Sequence, residues 1–442
     1  MEAQERRLKP GRLSGTAAAI PSKSAAHRIF LCAALADKPT VVRLGSGSKD
    51  IEATMSCVRA LGGRTEQISD GVYRVHPIVQ SAENPTLDCG ESGSTLRFLV
   101  PVAAALGKGA VFTGGGRLPE RPLSPLREQL EEHGCILTPQ GDWPLRLSGK
   151  LTGGKFALPG NISSQFFTGL LLALPLLPED SSIEITTELE SEGYIHLTLD
   201  VLHQFGIRAE KQGNYYLIPG GQKYRSPGEA EVEGDWSNAA FWLTAAAMGN
   251  PVRCSGLKPD SSQGDKAILD VLRRMGAEIT LTDGIYSVHS PGRLHGTVID
   301  ASEIPDLVPI LSVAAATADG ITQITHAARL RIKESDRLAV MADVLTKLGA
   351  KVQELPDGLV IEGVTQLHGG TVDSANDHRI AMSAAIAALS ASGEVVLTDP
   401  NAVKKSYPRF FEDYQALRCA SDGEAPAGNS RRRVAADISR AK

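Results

Sequence analysis

Five glycines recur along the chain at nearly constant spacing. Gly62, Gly134, Gly206, Gly276 and Gly349 are separated by 72, 72, 70 and 73 residues. Each sits in the same phrase: VRALGGRTEQ (58–67), LEEHGCILT (130–138), LHQFGIRAE (202–210), LRRMGAEIT (272–280) and LTKLGAKVQE (345–354). An apolar turn, a glycine and an alternating stretch read as a helix stopped by a left-handed residue and followed by a strand. One such phrase is common in α/β proteins; five in register require a repeated unit of about 72 residues. The 442 residues hold six such units, with a sixth helix expected at Pro408–Leu417, where the repeat would close. Strands such as Ile183–Thr187 and helices such as Ser164–Leu174 make the class α/β or α+β. Six units divide as three and three, with a hinge expected near Val232–Asp235, after the Gly- and Pro-rich stretch 219–228.

Bulk properties exclude several classes. A chain of this length exceeds one compact core. Hydrophobic residues at 42 % and charged residues at 22 % are ordinary for a globular protein, so disorder is not the default. A net charge of -5 gives no general attraction to nucleic acid or to an anionic membrane. Cys32, Cys57, Cys89, Cys135, Cys254 and Cys419 form no CxxC pair and have no histidine at ligand spacing, which argues against a zinc site or a disulfide framework. Met1–Pro10 lacks the apolar run of a signal peptide, and no stretch reaches about 18 apolar residues, so a cytoplasmic protein is expected. The composition of 420–442 predicts a disordered tail whose Arg431, Arg432 and Arg433 are solvated.

Chemistry concentrates in a few short segments. LRIKESDR (330–337) holds three cations and two carboxylates in eight residues. Alone it is a solvated helix face, because opposite charges three or four apart support a helix. Three other segments offer anion-binding groups as well. In PSKSAAHR (21–28), Ser22, Lys23 and Ser24 precede an apolar run, so hydroxyls and an ammonium meet free N–H groups at a helix start, with Arg28 one turn on. In GESGSTLR (90–97), Gly93 permits close backbone approach while Ser94, Thr95 and Arg97 supply donors; the spacing is not that of a Walker loop. In NDHR (376–379), His378 lies between Asp377 and Arg379, and a lone histidine is usually structural. Arg117 and Arg121 in GRLPERP suit bidentate anion recognition or a structural ion pair. Ser163 and Ser164 read as helix caps. Together these segments point to an enzyme that grips two anionic substrates.

The set resembles one family, the EPSP synthases (3-phosphoshikimate 1-carboxyvinyltransferases). PSKSxxxR, GxSGSTxR, ERP, SSQF, EGD (233–235), IPD (304–306), KESDR, NDHR and KSYP (405–408) occur in the family's order between Leu13 and Leu417. The resemblance implies two similar domains, each of three βαβαββ-type units forming an inside-out α/β barrel, with the site between them. Residues 1–20 and 234–419 would form one domain and 21–233 the other. It implies transfer of the enolpyruvyl group of phosphoenolpyruvate to the 5-hydroxyl of shikimate 3-phosphate through a tetrahedral intermediate, in aromatic amino acid (chorismate) biosynthesis. No cofactor or metal, no nucleic acid and no membrane partner is implied, and a monomer is expected. The family is the target of the inhibitor glyphosate.

Carried over by motif, Lys23, Ser24, Arg28, Ser163, Ser164, Gln165, Ser191, Tyr194, Asp306 and Lys333 would hold shikimate 3-phosphate. Lys23, Gly93, Arg121, Gln165, Arg337, Arg379 and Lys405 would hold phosphoenolpyruvate. Asp306 and Glu334 would move protons with Lys23 as a cationic participant, and Lys333 and Arg337 should keep Glu334 ionised. Three positions depart from the family: Glu91 and Arg329 where asparagine is usual, and Glu192-Gly193 for a frequent Lys-Pro. The alternatives are the sister enzyme acting on UDP-N-acetylglucosamine, which usually bears a cysteine where 117–126 has none, and a non-catalytic anion-binding protein. Retaining two carboxylates in a cationic cleft gains nothing for mere anion binding.

Overall fold

A computed structural model describes residues 4–421. Two separate hydrophobic cores organise them. One runs from Ala25 to Val232; the other joins Leu8, Leu13 and Ala17 to residues between Trp236 and Leu417. The first half carries helices α1 (Lys23–Leu35), α2 (Lys49–Ala60), α3 (Gly93–Leu106), α4 (Leu126–Glu132), α5 (Ser164–Ala173) and α6 (Glu192–Gln204). The second carries α7 (Trp236–Ala247), α8 (Ile268–Arg274), α9 (Val308–Ala316), α10 (Arg337–Lys347), α11 (His378–Ala387) and α12 (Phe410–Ser421).

The six units share one strand order. In one of them Thr86–Asp88 runs parallel to Ala110–Thr113, which pairs antiparallel with Leu145–Gly149, and that strand closes a hairpin with Cys135–Leu137. Five sheets have four strands in this pattern. The sixth has three: Gly370–Asp373 pairs parallel with Val395–Thr398, and the N-terminal Glu5–Leu8 adds antiparallel to the latter. Strand exchange closes both halves. Gly15–Ala18 pairs with Val252–Ser255, and Glu229–Glu231 returns to pair with Thr40–Arg43. The two chain crossings lie side by side, with an antiparallel bridge between Pro21 and Gly234 and bonds from Ser22 N–H to the Glu233 carbonyl (2.7 Å) and from Asp235 N–H to the Ile20 carbonyl (2.8 Å).

The layers are inverted relative to an ordinary α/β barrel. Every residue of α7, α9 and α11 is buried, and α1, α3 and α5 are nearly so, whereas α2, α4, α6, α8 and α10 each keep exposed residues. Helices that are apolar all round belong at the centre, with sheets outside. The repeat glycines do what their spacing predicts: φ is 104°, 92°, 74°, 98° and 84° at Gly62, Gly134, Gly206, Gly276 and Gly349. Each N–H bonds to a carbonyl in the last turn of the preceding helix, from Arg59, Glu131, His203, Arg273 and Thr346 respectively. The sixth helix starts two residues later than expected and runs to Ser421, so Ala420 and Ser421 are helical rather than tail. The remainder of the expected tail, with Arg431–Arg433, lies outside the described residues. Among the described residues no helix is long and apolar enough to cross a membrane.

Candidate functional site

All six central helices begin at the seam between the halves. Ser22, Ser92, Ser163, Asp235 and Asp377 cap α1, α3, α5, α7 and α11 through their side chains, and Asp306 stands in the short 3-10 turn before α9. Residues from each of these helix starts line one cavity: Lys23 and Ser24, Gly93 and Ser94, Ser163 to Gln165, Asp235, Ser237 and Asn238, Asp306, and Arg379. Converging positive helix ends and free N–H groups favour anions before any charged side chain is counted. The cavity holds about 60 Å³, space for about two waters, because ion pairs fill it. A larger groove of about 970 Å³ lies behind the chain crossings and contains none of the expected site residues.

The charged octet is turned inward. Ala328–Ile332 forms a 3-10 turn and Asp336 caps α10; Arg331, Ile332 and Asp336 face outward, with Arg331 bonded to Asp336 and Glu354. Arg337 is buried and grips three carboxylates: Asp377 at 2.8 Å, Glu334 at 2.8 Å and Asp306 at 2.9 Å. Arg379 adds a second guanidinium to Asp306 at 2.8 Å, and Arg121 lies 3.6 Å from Glu334. Burial alone would raise both carboxyls. For Asp306, Arg379, Lys333 and Arg337 outweigh burial; for Glu334, Arg337 and Arg121 lead, and both groups stay ionised far below the carboxylate range. Lys333 is brought down to about 8 by its own burial, against the pull of Asp306 and Glu334. Lys23 is raised, since Asp50 at 2.8 Å and Glu334 outweigh its burial.

Arg28 and Arg97 are buried cations held by neutral acceptors. Arg28 donates to Thr198 (2.8 Å), Thr168 (3.2 Å) and the carbonyls of Ser24 (2.6 Å) and Tyr194 (2.9 Å), and burial lowers it to about 10. Arg97 donates to Gln165 Oε1 (2.7 Å) and to the Pro122 carbonyl (2.8 Å). An unneutralised buried cation seeks an anion. Gly93 has its own reason: a Cβ there would stand 2.6 Å from the Arg121 guanidinium.

Of the expected residues, Lys23, Ser24, Arg28, Gly93, Arg121, Ser163, Ser164, Gln165, Ser191, Tyr194, Asp306, Lys333, Glu334 and Arg379 line the one cavity. Arg337 lies beneath its floor. Lys405 stands at the rim, paired with Glu91 at 2.8 Å and donating to the Asn376 carbonyl. Thr95 is not a donor to the cleft: its hydroxyl is spent on Thr54 and Ser92. Arg117 is half exposed and pairs with Glu120 at 3.6 Å. His378 is buried, and burial holds it well below its ordinary value, so it is neutral. Sequence reasoning missed Asp50, Glu190 and Asp265, whose partners come from distant segments. Asp265 meets Tyr194 at 3.0 Å, and Glu190 pairs with Arg329 at 2.5 Å. The departure at Gly193 is explained by close contact between halves, since a Cβ there would stand 2.8 Å from the Gly264 Cα.

Fold and cleft define a protein of two equivalent α/β halves with paired carboxylates set among cations in the seam, an arrangement for binding and transforming small anions. The chain belongs to the EPSP synthase (3-phosphoshikimate 1-carboxyvinyltransferase) family, whose sequence model matches residues 8–414. It is 45 % identical over 423 residues to a 3-phosphoshikimate 1-carboxyvinyltransferase of Clostridium perfringens, covering 94 % of this chain and 99 % of that one. It is 46 % identical over 418 residues to the one of Clostridium acetobutylicum, covering 93 % and 96 %. The structure of EPSP synthase from Acinetobacter baumannii superposes with a TM-score of 0.78 at 28 % identity, over 94 % of this chain and 98 % of that one.

Proposed function

We propose that the seam transfers the enolpyruvyl group of phosphoenolpyruvate to the 5-hydroxyl of shikimate 3-phosphate, releasing phosphate, in aromatic amino acid biosynthesis. The observation that carries this reading is the placement of Asp306 and Glu334 on one guanidinium, 2.9 Å and 2.8 Å from Arg337, within walls of cations and helix starts. Addition of a hydroxyl to the central carbon of phosphoenolpyruvate requires a base at the hydroxyl and an acid at the methylene, and elimination of phosphate reverses the methylene step. Asp306 and Glu334 take these two roles, with Lys23 between them and the substrate phosphate. Lys23, Gly93, Arg121, Gln165, Arg337, Arg379 and Lys405 form the phosphoenolpyruvate side, acting on its carboxylate and on the charge that develops on the leaving phosphate. Ser24, Arg28, Ser163, Ser164, Gln165, Ser191, Tyr194 and Lys333 form the sugar-phosphate side.

We read residues 21–233 as one body and residues 1–20 with 234–419 as the other, hinged at the paired crossings. A cavity of about 60 Å³ admits neither substrate, so the halves must part and close again around both, excluding water. Both walls come from one chain, so a single copy carries a complete site. The buried free thiols Cys32, Cys57, Cys89, Cys135 and Cys254 suit a reducing cytoplasm. The test is phosphate release by the purified chain with phosphoenolpyruvate, with and without shikimate 3-phosphate. UDP-N-acetylglucosamine serves as the competing acceptor. Release that requires shikimate 3-phosphate supports the reading; release with the nucleotide sugar alone, or with neither acceptor, refutes it.

A further inference from the structure

Asp265 is a buried carboxylate for which the chemistry above has no task. It is 2 % exposed, on the 3-10 turn Gly264–Ala267. Its Oδ2 accepts from the Ser237 hydroxyl of α7 and from the Tyr194 hydroxyl of α6, the latter at 3.0 Å. The same Tyr194 hydroxyl lies 3.1 Å from Oδ2 of Asp306. A phenol has one proton, so it donates to one of these carboxylates at a time and can accept from the other when that one is protonated. Asp306, Tyr194 and Asp265 are therefore a continuous chain along which a proton can pass.

The two ends differ in charge environment. Asp306 is bonded to Arg337 and Arg379 and faced by Lys333, with Glu334 the opposing charge. These cations orient it for attack on a hydroxyl proton but make it a poor place for that proton to stay. The charged groups facing Asp265 are Asp306 and, more distantly, Arg379; its bonded partners are hydroxyls, and its Oδ1 has no partner among the described residues. Burial and the neighbouring Asp306 push Asp265 up to about 6, a proton affinity suited to taking a proton and returning it.

We propose that Asp265 is a positioning residue that holds the proton removed from the acceptor hydroxyl, receiving it from Asp306 through the Tyr194 hydroxyl. As the acceptor oxygen bonds to the central carbon of phosphoenolpyruvate, its O–H breaks and the proton goes to Asp306. The electron pair of the double bond takes a separate proton at the methylene carbon from Glu334, which is protonated once the anionic substrate occupies the cations that otherwise keep it ionised. The proton on Asp306 passes to the Tyr194 oxygen while Tyr194's own proton passes to Asp265, leaving Asp306 ionised. When the carbon–phosphate oxygen bond breaks, the methyl group returns a proton to Glu334 as the double bond re-forms, the chain runs backward, and the hydroxyl proton leaves on the departing phosphate. Tyr194 belongs to the first half and both aspartates to the second, so the chain is complete only when the halves are closed.

This inference rests on the functional reading of the cleft. The experiment compares the full-length chain with Asp265→Asn and Asp265→Glu in steady-state phosphate release across pH. Asp265→Asn should lower kcat about 10- to 100-fold at neutral pH, leave KM for both substrates within about twofold of wild type, and abolish the change in kcat near pH 6 expected from Asp265. Asp265→Glu should restore most of the rate. An active wild type with an unaltered Asp265→Asn kcat or pH profile overturns the inference alone; a wild type that releases no phosphate overturns the reading of the cleft as well. Should Asp265→Asn not fold, difference infrared titration of the wild type decides: a carboxylic acid band should appear as pH falls through about 6 and shift in Tyr194→Phe, which lacks the hydroxyl bonded to it. No such band overturns the proposal.

Discussion

Glu91 neutralises a cation that the proposed function puts on the phosphoenolpyruvate side, Lys405. Its carboxylate reaches across the seam to Lys405 Nζ at 2.8 Å and accepts from Asn376 Nδ2 at 2.9 Å, with Lys405 7 % exposed and Glu91 34 %. If Lys405 holds phosphoenolpyruvate, the substrate must displace or share this pair. Unit charges in contact near a protein surface attract by about 4 kcal/mol, and solvent access at Glu91 screens this to about 1–2 kcal/mol. Glu91→Gln should therefore lower KM for phosphoenolpyruvate about 5- to 30-fold. KM for shikimate 3-phosphate should be unchanged, because Arg28, Ser163, Ser164 and Tyr194 stand elsewhere in the cleft. Glu91→Asp, which keeps the charge, should move neither value by much. Steady-state phosphate release with each substrate varied in turn measures both constants. An unchanged or raised KM for phosphoenolpyruvate in Glu91→Gln would show that the pair does not compete with the substrate, and the assignment of Lys405 would fall with it.

Glu334→Gln should cut turnover about 10²- to 10⁴-fold while titration calorimetry still registers shikimate 3-phosphate; near-normal turnover removes Glu334 from the mechanism. Arg28→Gln should weaken shikimate 3-phosphate binding about 10- to 100-fold, the loss of a charge-assisted bond. Its unfolding temperature should hold or rise, since Arg28 is bonded only to neutral acceptors; a large drop in stability would contradict this. Asp265 rises from 3.8 to about 6 on folding, so the native state binds its proton more tightly and this group's contribution to stability falls as pH rises from about 4 to above 6. The difference of about 2 units corresponds to about 3 kcal/mol; Asp265→Asn should thus unfold at higher temperature than wild type at pH 7.5, with the advantage shrinking toward pH 4. Gly349→Ala, with φ at 84° and a Cβ 2.8 Å from the His368 ring, should destabilise the chain by at least about 1–2 kcal/mol, whereas Gly249→Ala, where a Cβ meets open space, should incur only the backbone strain.

How much of this was legible in the sequence depends on the range over which each feature is set. The five glycines act locally: a helix must stop and a strand begin, and only a left-handed residue turns the chain so tightly, so spacing alone gave the unit and its count. The caps were equally local, and Ser22 and Ser163 stand where helix starts require them. The inward turn of LRIKESDR was not, because its charges also satisfy a solvated helix. What settles the matter is Asp377, 40 residues from Arg337, which removes one guanidinium edge from solvent. Asp265 shows the same limit more sharply. Nothing around Ser-Gln-Gly-Asp265 marks it as reactive, and its two neighbours, Tyr194 and Asp306, are 71 residues back and 41 residues on.

The circular closure of each half has a consequence for the chemistry. In a simple tandem array the first and last units would end in unpaired strands, and the seam between halves would be a flexible linker. Here Glu229–Glu231 completes the sheet of the first unit, and Gly15–Ala18 and Glu5–Leu8 complete two sheets of the other half, so the chain crosses the seam twice at one place. Two antiparallel crossings, joined by the bonds of Ser22 and Asp235, carry the chain between the halves. Ser22 and Asp235 are also the caps of α1 and α7, and Lys23 N–H bonds to Asp235 Oδ2 at 3.0 Å. The chain crossings and the innermost cleft groups are therefore the same few residues, Ser22, Lys23 and Asp235. If the halves part to admit substrate, the pairs that span them, Glu91 with Lys405, Arg121 with Glu334 and Glu190 with Arg329, must open and can close again over it.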